Sequence, residues 1–387
     1  MRAETKPVGI GLIGCGGRLR GVIRRLLDAG GERTRVAAVY DPDAVSRSAA
    51  ESAFGSDTVF CGSEEELVSH PEVSWVFIGS PNAHHARQAI LALRSGRDVF
   101  CEKPLATSLE DCLAVRRAVR ETGRRFALGL VLRYSPHYQK VRELVQSGAI
   151  GEIISFEFNE TLSFNHGGYI FGNWRRYRAE AGTHLLEKCC HDLDLVNWIV
   201  GSRPRFAASF GGRNFFLPEN ERHMARIGPN ADGRPAYQVW EDPHGVNPFT
   251  AEGDIFDNQV AIIEYENLVR ATFHTNCHAG IPERRLYLCG TEGGLRADAC
   301  TGAIALQKIG HNSRLEQIQI EVADGHGGGD PVMAGGMLRT MLEDEPPLAN
   351  VDDGVRAGFS AFLIDEAADQ RRVVDAREYA FAEELWP

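Results

Sequence analysis

The sequence contains no long apolar run, since none of its stretches reaches the roughly 18 consecutive apolar residues that a membrane-spanning helix requires. Its opening residues, 1–7, are polar, which predicts that the chain carries no secretory leader. Basic residues are in the minority: 42 Lys and Arg stand against 53 Asp and Glu, for a formal net charge of −11. Phosphate-rich surfaces repel such a chain, so we expect neither nucleic acid nor a membrane as a partner.

Cysteine spacing shows no repeat among the nine cysteines, and Cys189 and Cys190 are adjacent, where an ordinary disulfide is not expected. Reduced thiols are typical of the cytoplasm, which is the predicted location. With 387 residues, 43% of them hydrophobic, the chain is globular and too long for one ordinary core. We therefore expect two domains.

Apolar runs alternate with amphipathic segments over residues 1–125, which predicts a first domain of α/β class with a parallel sheet. The expected strands cover residues 8–13, 36–40, 73–78 and 98–101. One expected helix ends at Gly30, a second is capped by Ser63 and Glu66, and a third covers residues 83–95. A fourth is capped by Thr107 and Glu110 and ends at Gly123.

Period-two alternation marks the second domain, residues 126–387. The segments 154–158, 260–265, 269–273, 286–288 and 318–322 predict an α+β domain with a large, mostly antiparallel sheet. Open faces of such sheets often join subunits, so we expect a homodimer or homotetramer. The aperiodic segment 214–254 is predicted to be a long loop covering a site, and a helix over 354–370 is predicted to pack back on the first domain.

A glycine-rich loop follows the first predicted strand and opens the first predicted helix. Gly14 permits a tight turn, Gly16 lets the backbone approach a pyrophosphate, and the helix presents free N–H groups to it. The third glycine of the usual G-x-G-x-x-G pattern would fall at position 19, which is Leu19. A glycine turn without a nucleotide is the alternative.

The end of the second predicted strand bears on which dinucleotide the loop would hold. Asp41 closes that strand, where a carboxylate accepts hydrogen bonds from ribose hydroxyls and repels a 2′-phosphate. The expected cofactor is therefore NAD rather than NADP. Arg18 and Arg20 keep NADP as an alternative, because either guanidinium suits a phosphate.

Two further segments follow predicted strands of the same sheet. Asn82 lies in the segment 80–85 and is expected either to cap the next helix or to contact the nicotinamide side of a cofactor. Lys103 follows strand 98–101, at the edge where open α/β sheets place their chemistry. Its ammonium is expected to stabilise alkoxide charge.

A polar stripe lies in the helix predicted to run to Val200 and to end at Gly201. His184, Glu187 and His191 share one face at about 100° per residue. A neutral imidazole can take a hydroxyl proton near pH 7, so His191 is the candidate base and Glu187 is expected to orient it or the substrate. Two alternatives stay open for this stripe: the three side chains are metal ligands, or the histidines only form hydrogen bonds with each other.

With these residues in place, the chain resembles the Gfo/Idh/MocA family, the relatives of glucose–fructose oxidoreductase and inositol dehydrogenase. The resemblance rests on the glycine loop, Ser80 to His85, Glu102-Lys103-Pro104, Arg133-Tyr134, Trp174-Arg175 and the helix bearing His191. It implies a Rossmann domain, NAD(P), and oxidation or reduction at a secondary carbon of a sugar or cyclitol. It also implies catalytic roles for Lys103, His191 and Glu187, although the family usually has Asp in place of Glu187 and Gly in place of Cys189.

The resemblance also implies two sets of binding residues, one for the cofactor and one for the substrate. It implies no metal site. The cofactor set is Gly14, Gly16, Gly17, Arg18, Leu19, Asp41, Ser80, Pro81, Asn82, His85, Glu102, Lys103 and Arg133. The substrate set is Tyr169, Trp174, Arg175, Arg176 and His184. Two other functions stay open: an NAD-dependent glycosidase that oxidises and re-reduces its substrate, and a regulator that senses NAD(H) without turnover.

Overall fold

The computed structural model describes residues 6–323, 325–379 and 386. The chain divides into two compact units, Met1–Ser135 with Gly328–Gly358 and Pro136–Gly327 with Phe359–Pro387. The first unit thus continues past the end predicted at residue 125 and takes in a later segment. Among the described helices, none combines the length and the apolar character needed to cross a bilayer.

The first unit is built on a parallel sheet. Its strands are β1 (Val8–Ile13), β2 (Thr34–Tyr40), β3 (Val59–Phe60), β4 (Trp75–Ile78), β5 (Asp98–Cys101) and β6 (Phe126–Leu128). Its helices begin with α1 (Gly17–Gly30), α2 (Ala44–Phe54), α3 (Glu64–Ser69), α4 (His85–Arg94) and α5 (Leu109–Thr122). The strand order is β3-β2-β1-β4-β5-β6 and every pairing is parallel. This doubly wound order reverses between β1 and β4, where such sheets bind ligands at their carboxyl ends.

The parallel sheet, the Ser63 cap and the Gly123 helix end confirm the sequence predictions for this unit. The cap of α5 was predicted wrongly. Ser108, not Thr107, has the extended backbone and accepts the N–H of Asp111 at 3.1 Å, because a cap must precede the helix by one residue.

The second unit is built on a mixed sheet. Its helices include α6 (Pro136–Gln146), α7 (Phe164–Phe171), α8 (Arg178–Ala181), α9 (His184–Val200) and α10 (Arg222–Ile227). Its strands are β7 (Ile153–Ser163), β8 (Pro204–Gly212), β9 (Asn258–Tyr265), β10 (Arg270–Ala279), β11 (Arg285–Gly290), β12 (Gly293–Asp298), β13 (Ala303–Lys308), β14 (Glu316–Gln319) and β15 (Val374–Asp375). The order is β14-β13-β12-β11-β7-β10-β9-β8-β15, antiparallel except for β7 with β10. The predicted mostly antiparallel sheet is confirmed.

Two long helices complete the described fold. Helix α11 (Gly329–Glu343) belongs to the first unit, where its methionines join the buried apolar cluster of α1 and the parallel sheet. Helix α12 (Val351–Gln370) contains residues of both units, the division falling after Gly358. The predicted helix over 354–370 is therefore part of a helix that begins three residues earlier.

The long segment between β8 and β9 is anchored at both ends. The carboxylate of Asp257 accepts the backbone N–H groups of Asn214, Phe215 and Phe216 at 2.7–3.0 Å, which joins the end of the segment to its start. Apolar side chains of the segment pack with α7 in a buried cluster that includes Phe171, Phe216, Ala236, Tyr237, Phe249 and Ile255. The predicted loop therefore has a core of its own and also contains α10.

Candidate active site

The glycine loop follows β1 directly. Gly14 has φ +78°, and a Cβ there would lie 2.5 Å from the backbone nitrogen of Ser80, so the turn requires glycine. At Gly16 and Gly17 a Cβ would meet no protein atom within 4 Å. Protein packing therefore does not explain these two glycines, whereas a ligand approaching the backbone at the N-terminus of α1 does. The loop fits the pyrophosphate of a dinucleotide.

The missing third glycine has a structural counterpart in Gly79, the residue directly after β4. Leu19 is buried in the first turn of α1, and a Cβ on Gly79 would lie 2.7 Å from the Cβ of Leu19. The third glycine of the fingerprint normally permits close packing of helix against strand. Here the strand side supplies the small residue, so α1 approaches the sheet closely although position 19 is leucine.

Asp41 joins the end of β2 to the glycine loop. Its Oδ2 accepts the N–H of Cys15 at 2.6 Å and its Oδ1 accepts the N–H of Asp43 at 2.9 Å. A carboxylate has about four lone-pair positions, so each oxygen keeps one for a further donor such as a ribose hydroxyl. The predicted ribose contact stays a prediction.

Arg18 is committed to two carboxylates of the protein. Its Nε donates to Glu102 at 2.9 Å and its Nη1 donates to Asp330 at 2.6 Å, and both acids are buried. Glu102 also accepts the backbone N–H of Lys103 at 3.3 Å. The ion pairs therefore join the first turn of α1, the segment after β5 and the first turn of α11. The positive charge of Arg18 is balanced within the protein.

His85 connects the segments that follow β4 and β5. Its buried ring places Nδ1 2.7 Å from the carbonyl oxygen of Pro104 and Nε2 3.0 Å from that of Ser80. Burial lowers the pKa of His85. This residue, predicted to contact the cofactor, therefore joins the backbone of Ser80 to that of Pro104, the residue after Lys103.

The other predicted cofactor residues also lie in the first unit. Asn82 is buried within the 3-10 turn Asn82–His84, which has Pro81 at its N-cap and no side-chain cap. Of the two alternatives for Asn82, the cap of the next helix is wrong, because the N-cap position of α4 is His84 and no side chain caps that helix; the nicotinamide contact stays a prediction. Arg133 is buried and donates to Asp353 at 3.0 Å and to the Leu348 carbonyl at 3.1 Å.

Helix α9 carries the polar stripe of the second unit. Thr183 caps it by accepting the N–H of Leu186 at 3.1 Å, and Gly201, in the left-handed region, ends it as predicted. Glu187 and His191 lie one turn apart on this helix, 6% and 3% exposed. The Arg175 Nε donates to Glu187 at 3.0 Å, which holds this buried carboxylate in an ion pair.

The third member of the predicted stripe faces other partners. The Nε2 of His184 lies 3.1 Å from the hydroxyl of Thr275 and 3.5 Å from the sulfur of Cys277, both on β10. The ring of His191 instead lies 6.2 Å, between centroids, from that of His326. Among the residues that the structure describes, no group of three or more His, Cys, Asp or Glu side chains is arranged to hold a metal ion.

A buried network of four charges fixes the neighbouring face of α9. Arg284 donates to both oxygens of Asp192, at 2.8 and 2.7 Å, and lies 2.7 Å from Glu160. Lys188 lies 3.3 Å from Glu160. Lys188 directly follows Glu187, and Asp192 directly follows His191. The network therefore fixes the rotation of α9 about its own axis, and with it the direction in which the stripe faces. Buried pairs of this kind are costly to break, since the remaining charge has no partner.

The predicted substrate residues divide into two groups. Arg175 donates to the hydroxyl of Tyr169 at 3.2 Å, and its guanidinium lies 4.3 Å from the ring centroid of Trp174. Tyr169 and Trp174 therefore flank Arg175, which is the ion-pair partner of Glu187. Arg176 instead donates to the carbonyl oxygens of Glu252 and Asn173, and therefore anchors the long segment.

Sequence patterns did not identify several residues near the stripe. They are His166, Trp240, Arg284 and His326, which come from α7, the long segment, the residue before β11 and the chain after β14. Their only sequence signal is residue type. Their proximity to α9 or to its partners depends on tertiary packing, which no local period reports.

Asp365 supports the cap of α9 and makes stability depend on pH. Its carboxylate accepts the hydroxyl of Thr183 and, at 3.2 Å, the amide of Gln259. Burial raises its pKa to about 6. The folded state therefore binds this proton more tightly than the unfolded chain, and the free energy of unfolding falls as pH rises from the ordinary carboxyl range to about 6.

We expect Asp365→Asn to stabilise the protein at pH 7.5 by on the order of 1–3 kcal/mol, because the amide oxygen accepts from Gln259 and the amide nitrogen donates to the Thr183 hydroxyl without a buried charge. The gain should vanish near pH 4, where the native carboxyl is protonated. Urea unfolding of wild type and of Asp365→Asn at the two pH values measures this difference in the free energy of unfolding. An equal effect at both pH values would contradict the assignment.

Comparison with known proteins agrees with this architecture. Residues 8–130 match the family described as "Oxidoreductase family, NAD-binding Rossmann fold", and residues 138–296 match the GFO/IDH/MocA C-terminal domain. The parallel sheet with its glycine loop and the mixed sheet with its polar helix are those of a two-domain nucleotide-binding oxidoreductase. The chain belongs to the GFO/IDH/MocA family, and the predicted resemblance is confirmed.

The individual proteins that the chain resembles share at most about a third of its residues in the aligned regions. The chain is 31% identical to an inositol 2-dehydrogenase of Gluconacetobacter diazotrophicus over 199 residues, 50% of this chain and 54% of the relative. It is 26% identical to a 2,7-anhydro-N-acetylneuraminate hydratase of Escherichia coli over 267 residues, 69% of this chain and 62% of the relative. A levoglucosan dehydrogenase solved with NADH and levoglucosan superimposes with a TM-score of 0.77 over 95% of this chain and 99% of the other. Its 18% identity shows the shared fold alone.

Proposed function

We propose that this protein is an NAD-dependent dehydrogenase that moves a hydride between nicotinamide and a secondary carbon of a sugar, cyclitol or sugar derivative. The observation that carries the proposal is the buried pair of Glu187 and His191, one turn apart on α9, in a chain of an NAD-binding family. The inositol and levoglucosan dehydrogenases among its relatives and structural neighbours support the substrate class.

The chemistry assigns one task to each group. Bound NAD supplies the hydride acceptor. His191 takes the hydroxyl proton as general base, Glu187 accepts a hydrogen bond from a substrate hydroxyl, and the ammonium of Lys103 stabilises the developing alkoxide. The ion pair with Arg175 holds the carboxylate of Glu187 in place, and the carboxylate has further lone pairs with which it accepts hydrogen bonds. A substrate deuterated at the reacting carbon should give deuterated NADH, and unlabelled NADH would contradict the proposal.

We propose NAD rather than NADP as the cofactor. The carboxylate of Asp41 at the end of β2 repels a 2′-phosphate. Arg18 is paired with two carboxylates, and Arg20 donates to the carbonyl of Cys15, so both cations predicted to assist a phosphate have protein partners. Fluorescence titration should give a lower dissociation constant for NADH than for NADPH, and the reverse order would exclude this choice.

A redox-neutral reaction is the second candidate, and the hydratase among the relatives favours it. In such a reaction oxidation of one hydroxyl to a ketone makes a neighbouring C–H acidic, and loss of that proton expels the leaving group, which departs as an alcohol. Water then adds across the resulting double bond, which returns a proton to the neighbouring carbon, and the hydride returns to the ketone. Solvent deuterium would then enter the product at the neighbouring carbon without net NADH. A product free of deuterium would exclude this alternative.

We also propose a cytoplasmic location, since none of the nine cysteines, all at described positions, is joined in a disulfide, and a homo-oligomer formed through the open face of the mixed sheet. On this face Phe210 and Ile262 are 70% and 62% exposed, and Val260 lies between them on the paired strands. Contiguous exposed apolar side chains of this kind are typical of subunit interfaces.

We expect Ile262→Glu to convert the oligomer into 42.6-kDa monomers, because a charge would be buried without a partner in the interface. Light scattering after size-exclusion chromatography measures the mass. Ile281→Glu, on the turn after β10 and 79% exposed, is the matched control and should leave the mass unchanged. A wild-type protein that is already monomeric would contradict the interface.

A further inference from the structure

Trp240 presents an open aromatic surface beside the candidate active site of the second unit. Its side chain is 46% exposed, although tryptophan is usually buried. The indole lies 4.6 Å from the ring of His166 and 5.3 Å from the ring of Tyr169, measured between centroids. One edge of the indole is therefore packed on α7 and the rest is available to a ligand.

The position of Trp240 is fixed by the backbone just before it. The N–H of Tyr237 donates to the side chain of Asn165 at 2.9 Å, and a Cβ on Gly168 would lie 2.0 Å from the Tyr237 carbonyl oxygen. Tyr237 is held at φ +69°, an unfavourable conformation for a bulky residue that surrounding packing must enforce. Arg234 donates to the Val239 carbonyl at 3.0 Å. The aromatic surface is therefore ordered before any ligand binds, which lowers the entropy cost of binding.

A chain of contacts connects this surface to the candidate catalytic carboxylate. Trp240 packs on Tyr169, the hydroxyl of Tyr169 accepts a hydrogen bond from Arg175, and Arg175 pairs with Glu187. A guanidinium and a phenol ring thus lie in sequence between Glu187 and the indole.

The chemistry of the surface favours a neutral ring. Trp240, Tyr169 and His166 present aromatic faces, and burial together with the charge of Lys188 lowers the pKa of His166 to about 2, so its imidazole is uncharged. The electron-rich face of an indole attracts the partly positive C–H groups on the apolar face of a pyranose. The hydroxyls at the rim of such a ring stay in water or meet polar side chains.

We propose that Trp240 binds a second sugar ring, linked to the ring whose hydroxyl meets Glu187, so that the preferred substrates are glycosides of at least two rings. This inference rests on the proposed function for the identity of the first ring. It narrows the substrate class from free sugars and single cyclitols to compounds in which two rings are joined by a glycosidic bond.

The test compares Trp240→Ala, Trp240→Phe and wild type, each with saturating NADH. Calorimetry measures the affinities of α- and β-linked disaccharides and of their component monosaccharides, and saturation-transfer NMR reports which ring contacts the protein. Ile227→Ala, an exposed apolar residue of the same long segment, is the control. Near-ultraviolet circular dichroism verifies that each variant is folded.

Wild type should bind at least one disaccharide about tenfold or more tightly than either component. Trp240→Ala should lose this preference together with saturation transfer to the second ring, while Trp240→Phe and Ile227→Ala should keep most of it. The proposal is overturned if no disaccharide is preferred by wild type, or if Trp240→Ala keeps the preference. The protein could also show a Trp240-dependent preference for a disaccharide and yet never form NADH or consume a glycoside. That result would support the second-ring site and contradict the proposed reaction.

Discussion

Lys103→Ala should lower kcat by a factor of about 10²–10⁴ while leaving NADH binding close to that of wild type. The ammonium of Lys103 is assigned to the developing alkoxide, a charge that exists only as the reaction proceeds. The backbone N–H of Lys103, which donates to Glu102, does not depend on the side chain, so the segment after β5 should keep its conformation. Steady-state kinetics and fluorescence titration with NADH measure the two effects separately.

Lys140→Ala is the matched control for this prediction. Lys140 lies on α6, pairs with Glu143 at 2.7 Å and is assigned no part in the reaction. Its removal should leave kcat unchanged. An unaltered kcat in Lys103→Ala would refute the assignment, and a loss of NADH binding as large as the loss of kcat would show that Lys103 serves the cofactor rather than the reaction.

His191→Ala should produce a loss of similar size, about 10²–10⁴ in kcat, and should also flatten the pH dependence of the rate. Without the imidazole, the hydroxyl proton passes to water, and the step no longer follows the titration of one protein group. The pH profile of kcat distinguishes this role from a structural one, because a packing defect lowers the rate equally across pH.

His311→Ala, an exposed histidine after β13, is the control and should retain both the rate and its pH dependence. A His191→Ala variant that keeps the wild-type pH optimum would exclude His191 as the base. In that case His326, whose ring lies 6.2 Å from that of His191, would be the next histidine to replace.

Sequence patterns predicted four strands of the parallel sheet because each of these four contains a continuous apolar run bounded by glycine, proline or a polar turn. The ends of α1, α5 and α9 were predictable because glycine marks each of them. The short strands β3 and β6 have two and three residues, too few to show a period. They are strands because they pair with β2 and β5.

The candidate site was predictable where it follows local rules and not where it depends on packing. Glu187 and His191 are four residues apart on one helix, so their shared face follows from helical geometry alone. His184 lies three residues before Glu187 on the same helix, yet β10 provides Thr275 and Cys277 as its neighbours. Arg18 was expected at a phosphate, but the distant Asp330 pairs with it. Contacts between residues so far apart in sequence leave no trace in a local pattern.

NADH formation, followed by absorbance, tests the central claim most directly. The purified protein is incubated with NAD and a panel of free sugars, cyclitols, anhydrosugars and glycosides. A dehydrogenase should give stoichiometric NADH with at least one class, and disaccharide glycosides should be the best substrates if Trp240 holds a second ring. Consumption of a glycoside without net NADH would contradict the dehydrogenase and support the redox-neutral reaction. The absence of any reaction across the panel would contradict both.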